Sequence, residues 1–201
     1  MGIDFVPWHA NVWVAETLPG FRGPNFMTMH KLDLDETLLE TIISGTQAGF
    51  SMTGLSPRPV GCSRFFSARH DLAVIVGLVG TSSGSMTVNM SEKGMLYISG
   101  CLIDEVQSHI TEENIDGIME LGNMVAGCIK ESLLDTEYGV SQISLPSLIA
   151  GSSYSVMYSR GIQTVSVEFE IPDVPVTNLS DRFFTTTVSL LRGSGSSMKA
   201  A

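Results

Sequence analysis

Beyond residue 31 the apolar positions fall into runs with two different periods. Leu34, Leu38, Leu39, Ile42, Ile43 and Ala48 recur at helical spacing, with Asp33 or Asp35 available as a cap, which predicts a helix over about residues 35–49. The middle of the chain changes period. Residues 61–67, 72–79 and 85–89 are rich in β-branched and aromatic side chains and read as strands, with Thr81-Ser82-Ser83-Gly84 as a hairpin turn between the last two. A short helix is expected over 92–102. A long one is expected over 112–134, where Thr111 can accept the first free backbone amides and Glu112, Glu113 and Asp116 suit the positive end of the helix dipole. Residues 144–149, 163–171 and 183–191 read as three further strands.

Residues 1–30 hold Pro7, Pro19 and Pro24 with Trp8 and Trp13 and sustain neither period, so they read as an N-terminal extension. Residues 31–191 form the domain proper, and 192–201, with Gly193-Ser194-Gly195-Ser196-Ser197, have the composition of a flexible tail. Two helices that each precede a set of strands hint at an internal duplication. Short turns between the first strands favour an antiparallel sheet with the helices on one face, an α+β architecture.

Charge narrows the function classes. The 201 residues carry 11 Lys+Arg against 21 Asp+Glu, a net charge of -10. Such a surface offers little to nucleic-acid phosphates or to an anionic membrane. Cys62, Cys101 and Cys128 are odd in number and distant from one another, so a disulfide framework or thiolate metal site is not expected and buried free thiols are. There is no positively charged leader ahead of Arg22 and no apolar run of membrane-spanning length, so a cytoplasmic protein is expected.

The long helix carries the candidate chemistry. At about 100° per residue, Ile118, Gly122, Val125, Ile129 and Leu133 share a core face, with Ile115 and Ala126 at its edge. Asp116, Glu120, Asn123 and Gly127, spaced 4, 3 and 4 apart, occupy a stripe roughly 60° wide nearly opposite that face. Glu and Asn on an exposed helix are commonplace. The conjunction is not: Asp116, Glu120 and Asn123 are followed after 22 residues by Pro146, at the head of Leu145-Pro146-Ser147-Leu148-Ile149.

This arrangement resembles the CheC/CheX/FliY family of chemotaxis phosphatases, which act on phosphorylated response regulators such as CheY. The family's pattern is Asp or Ser, Glu four positions on, Asn three after that, and Pro beyond a 22-residue gap. Asp116, Glu120, Asn123 and Pro146 match it throughout, and the texts E-L-G-N-M-V-A-G (120–127) and S-L-P-S-L-I-A-G (144–151) also look like the family. The resemblance implies an antiparallel sheet with two long helices on one face and pseudo-twofold halves. CheC-like members carry a Glu/Asn pair on each long helix and CheX-like members carry one. Here Glu40 on the first helix is followed three positions later by Ile43, which cannot hydrogen-bond, so the chain looks CheX-like, and a homodimer is implied.

The implied substrate is an aspartyl phosphate on a CheY-like receiver. Asn123 would orient the attacking water, since an amide both donates and accepts, and Glu120 would pair with a receiver lysine. Asp116, Gly127 and Pro146 would support the site by shape. No metal or cofactor is expected on this chain; Mg²⁺ and a lysine of the receiver would neutralise the phosphoryl group. Two other functions compete: an adaptor that binds a receiver or kinase without catalysis, and a structural part of a flagellar switch. Arg69-His70-Asp71 reads as a loop, Gly77 to Gly84 as a hairpin without the lysine of a phosphate loop, and Met86, Met90, Met95, Met119 and Met124 as packing.

Overall fold

The computed structural model describes residues 13–16, 28–31, 34–66, 69–105, 107–151, 154, 156, 160–175 and 178–192. The chain divides into two units, residues 1–34 and 35–201. In the first, β1 (Trp13–Glu16) pairs antiparallel with β2 (Thr28–Lys31). These four-residue strands are too short to impose a period on the sequence.

The second unit follows the predicted periods closely. α1 (Glu36–Gly49) is capped by Asp35, whose carboxylate accepts the Leu38 N–H. A turn of 3-10 helix, Phe50–Thr53, leads to β3 (Arg58–Ser63). β4 (Leu72–Gly80) and β5 (Ser83–Met90) form a hairpin tighter than expected, because Ser83 and Gly84 already belong to the second strand. α2 (Glu92–Ile103) and α3 (Glu112–Leu134) come next. The expected strand over 144–149 is two strands, β6 (Val140–Ile143) and β7 (Ser147–Ala150), with Leu145 and Pro146 between them. β8 (Ile162–Glu170) and β9 (Phe183–Leu191) complete the sheet. The Gly/Ser tail lies outside the described residues.

The sheet is antiparallel throughout, in the order β3-β8-β9-β5-β4-β6, with β7 pairing the same edge of β4 as β6. β3 therefore stands at the far edge from β4. The short-turn connection expected between the first two strands of the domain is instead a crossing of the sheet, secured by Asn89: its side-chain oxygen accepts the Arg69 and His70 amides and its Nδ2 donates to the Leu72 carbonyl.

α1 lies over β8 and β9, and α3 lies over β4 and β6, reaching β5 and β7 at its margins. The core forms between them, where Leu72, Val74, Val76 and Leu78 of β4 alternate toward the helices with Met86 and Val88 of β5 and Val188 of β9. Phe50, Phe184 and Phe169 stack in series, with centroids 4.9 and 5.2 Å apart, under the C-terminal end of α1. The two long helices meet through glycines. A Cβ on Gly45 would come within 2.6 Å of Ile129 Cγ1, and one on Gly49 within 2.6 Å of Val125 Cγ2, so α1 offers two notches that receive α3 side chains.

Candidate functional site

α3 is held in place by contacts at its start, middle and end. At its start Thr111 Oγ1 accepts the Asn114 amide while Asn114 Oδ1 accepts from the Thr111 backbone, a reciprocal capping box. Asn114 is itself buried, and its Nδ2 donates to Ser99 Oγ of α2. The predicted core face is buried as read from the wheel: Ile118, Gly122, Val125, Ala126, Ile129 and Leu133, joined by Leu121. Ile115 is only half-buried.

Asp116 and Glu120 are exposed, and Asn123 and Gly127 are half-exposed. Among the described residues none of the three polar side chains has a hydrogen-bond or ion-pair partner. Glu120 and Asn123 sit about 4.5 Å apart along the axis on the same side of the helix. The stripe thus presents a carboxylate and an uncommitted amide to solvent, an arrangement able to accept from a cation and to donate and accept simultaneously at one approaching group.

The flank on which Asn123 lies follows from the contacts of its neighbours. Gly117 and Asn114 face α2, Val125 and Ile129 face α1, and Gly122 faces Val74 of β4. Asn123 is about 100° further round from Gly122, away from both helices. It is therefore turned toward the sheet edge formed by β6 and β7. The same edge carries Pro146, half-buried immediately before β7. Asp116, Glu120, Asn123 and Gly127 thus share one stripe of α3, and Pro146 lies between β6 and β7.

Gly127 differs from the other glycines of the long helices. A Cβ built there meets nothing within 4 Å. Packing within the chain does not require a glycine at this position. Lys130, one turn beyond Gly127, pairs its ammonium with Glu131 at 2.7 Å.

Among the described residues no cluster of three His, Cys, Asp or Glu could hold a metal ion, and no helix is long and apolar enough to cross a membrane. The three cysteines are free and half-buried rather than fully enclosed. Burial pushes the Cys62 and Cys101 thiols up, which keeps them protonated. Arg69 pairs with Glu168 at 2.7 Å, so the Arg69-His70-Asp71 run is committed to holding strands together.

Residues 72–170 match the family described as chemotaxis phosphatase CheX. This segment of the chain belongs to the CheX family. It spans β4 to β8 and includes α3 and Pro146. The chain is similar in fold to the chemotaxis protein CheX of Desulfovibrio desulfuricans, at 18% identity and a TM-score of 0.62 over 76% of this chain and 98% of that one. It is similar also to the CheX of Borrelia burgdorferi solved in a CheX-CheY-BeF3-Mg²⁺ complex, at 20% identity and a TM-score of 0.60, covering 80% and 99%. Thermotoga maritima FliY aligns at 15% identity and 0.54, covering 79% and 92%. No curated protein matches the sequence significantly. The antiparallel CheC/CheX-like fold is thereby shown, with a third helix, α2, beside the two long ones.

Proposed function

We propose that this CheX-family chain is a phosphatase that accelerates hydrolysis of the aspartyl phosphate on a CheY-like receiver. The observation that supports it is the placement of Glu120 and Asn123 on one solvent-facing stripe where neither has a hydrogen-bond or ion-pair partner among the described residues. A polar side chain that stabilises nothing in its own fold, on a helix otherwise held at every turn, suits a group that works on a second molecule.

Hydrolysis of an acyl phosphate needs a water in line with the leaving carboxylate. The Asn123 carbonyl oxygen would accept a hydrogen bond from that water while its NH₂ donates one to a phosphoryl oxygen, a positioning role without proton abstraction. Glu120 would take the ammonium of a receiver lysine and fix the angle of approach. Mg²⁺ held by the receiver would supply charge neutralisation, so the acidic stripe meets a phosphoryl group whose charge is already offset. Asp116, Gly127 and Pro146 would shape the rim. A homodimer belongs to the same reading, and β3, paired only with β8 among the described strands, leaves one edge open for it.

The test is the lifetime of phosphorylated receivers with and without the chain. Wild type is expected to shorten it, and Asn123→Ala to lose about 10²–10⁴-fold of that acceleration with an unchanged melting temperature. Equal acceleration by both proteins would remove the proposed role of Asn123. Binding without acceleration by wild type would favour an adaptor.

A further inference from the structure

Between β6 and β7 the edge of the sheet breaks its register. Ser144 donates its amide to the Gly77 carbonyl, while Ser147 pairs with Ile75. Two residues, Leu145 and Pro146, therefore stand opposite the single residue Val76, a β-bulge. Bulges re-aim side chains, and this one leaves Leu145 87% exposed.

The bulge is held firmly. The Gly77 amide donates to Ser144 Oγ at 2.8 Å in place of a backbone carbonyl, and the Ser144 hydroxyl donates to the Leu145 carbonyl at 2.8 Å. Pro146 fixes its own φ and has no N–H to offer β4. Leu145 is thus an apolar side chain held in water by a rigid backbone, a state that nothing within the described fold rewards.

Its position relative to α3 follows from two anchors. Gly122 abuts Val74, and the turn after α3 bonds to the far end of β4, where the Thr81 and Ser82 amides donate to the carbonyls of Gly139 and Tyr138. Helix and strand therefore run toward the same end. Val76 is two residues beyond Val74, roughly 7 Å along the strand, which corresponds to about four or five residues of helix. The bulge is accordingly level with the turn from Asn123 to Gly127, on the flank that Asn123 faces.

We propose that Leu145 is the apolar anchor by which the phosphorylated receiver docks, and so a specificity-determining residue for the reaction. This rests on the reading of Glu120 and Asn123 given above. The occupant it fits is a receiver surface with an apolar recess bordered by a cation: the recess takes Leu145, and the cation meets the Asp116 and Glu120 carboxylates, which have no counter-ion among the described residues. A rigidly presented apolar group loses little freedom on binding, so most of its burial contributes to affinity. The empty space at Gly127 lets the two backbones come close between these contacts.

The experiment measures kcat and KM for dephosphorylation of the receiver that wild type accelerates, using the full chain, Leu145→Ser and Leu145→Met. Leu145→Ser is expected to raise KM about ten- to a hundredfold, as the loss of one buried leucine implies, with kcat within about twofold and the melting temperature unchanged. Leu145→Met should return KM to near the wild-type value, since methionine restores the apolar volume. An unchanged KM in Leu145→Ser, or a fall in kcat alone, overturns the anchor while leaving the phosphatase reading intact. If wild type accelerates no receiver, the anchor falls together with that reading.

Discussion

Gly122 lies so close to Val74 that a Cβ built on it would come within 2.5 Å of the valine Cγ1. This contact sets the height of α3 above the sheet, and with it the height at which Asn123, the next residue, meets solvent.

Replacing Gly122 with alanine is accordingly expected to destabilise the fold by about 1–3 kcal/mol, even though alanine is the better helix former, because the added methyl group overpacks a closed contact. Denaturant unfolding checks the loss. Receiver dephosphorylation should fall as well, since the displaced backbone carries Asn123 with it.

Gly127 should behave in the opposite way. Nothing lies within 4 Å of a Cβ there, so Gly127→Ala should raise stability by about 0.5–1 kcal/mol through helix propensity alone. Gly127→Leu should fold equally well and yet lower kcat/KM for a phosphorylated receiver, because its side chain would fill the clearance beside Asn123. Equal kcat/KM for Gly127→Leu and wild type would show that the clearance has no functional role.

Asp35, Tyr138 and Arg192 predict a pH effect remote from the site. The buried Tyr138 hydroxyl donates to Asp35 Oδ2, the carboxylate that caps α1, and the Arg192 guanidinium donates to the same oxygen at 3.1 Å while lying over the ring. Burial first, and the bond to Asp35 second, push the phenol's pKa well above its ordinary value. A tyrosine raised in the folded state contributes stability that is fully present below its unfolded pKa, about 10, and is lost as pH climbs above it, because the unfolded chain releases the proton first. Tyr138→Phe should therefore cost about 1–2 kcal/mol near neutrality and flatten the decline in stability above about pH 10. Denaturant melts from pH 7 to 11 measure both.

Elements with a strong period were legible in the sequence. α3 was bounded at Glu112 and Leu134 because its cap, its acidic first turn and its core stripe agree, and β9 was bounded at Phe183 and Leu191 by a run of aromatic, β-branched and aliphatic residues. The split between β6 and β7 was less visible. Val140 to Ile143 is short, and Ser144 substitutes its hydroxyl for the backbone acceptor that Gly77 would otherwise have, which strand pattern cannot express. Strand order was likewise hidden, because the pairing of β3 with β8 depends on contacts a hundred residues apart. At the site, the wheel placed Asp116, Glu120, Asn123 and Gly127 on one stripe. It could not show the bulge that leaves Leu145 exposed between β6 and β7, because that depends on how Ser144 bonds to β4.

The notches at Gly45 and Gly49 bear on who yields when the proposed complex forms. With Val125 and Ile129 seated in them, the opposite end tied to Ser99 and the middle resting on Val74, α3 has no room to roll or slide. Induced adjustment must then come from the receiver, whose loops around the phosphoryl group would conform to a fixed template. Relaxation measurements should find the broadened amides of the complex on the receiver, with those of α3 as sharp as in the free chain.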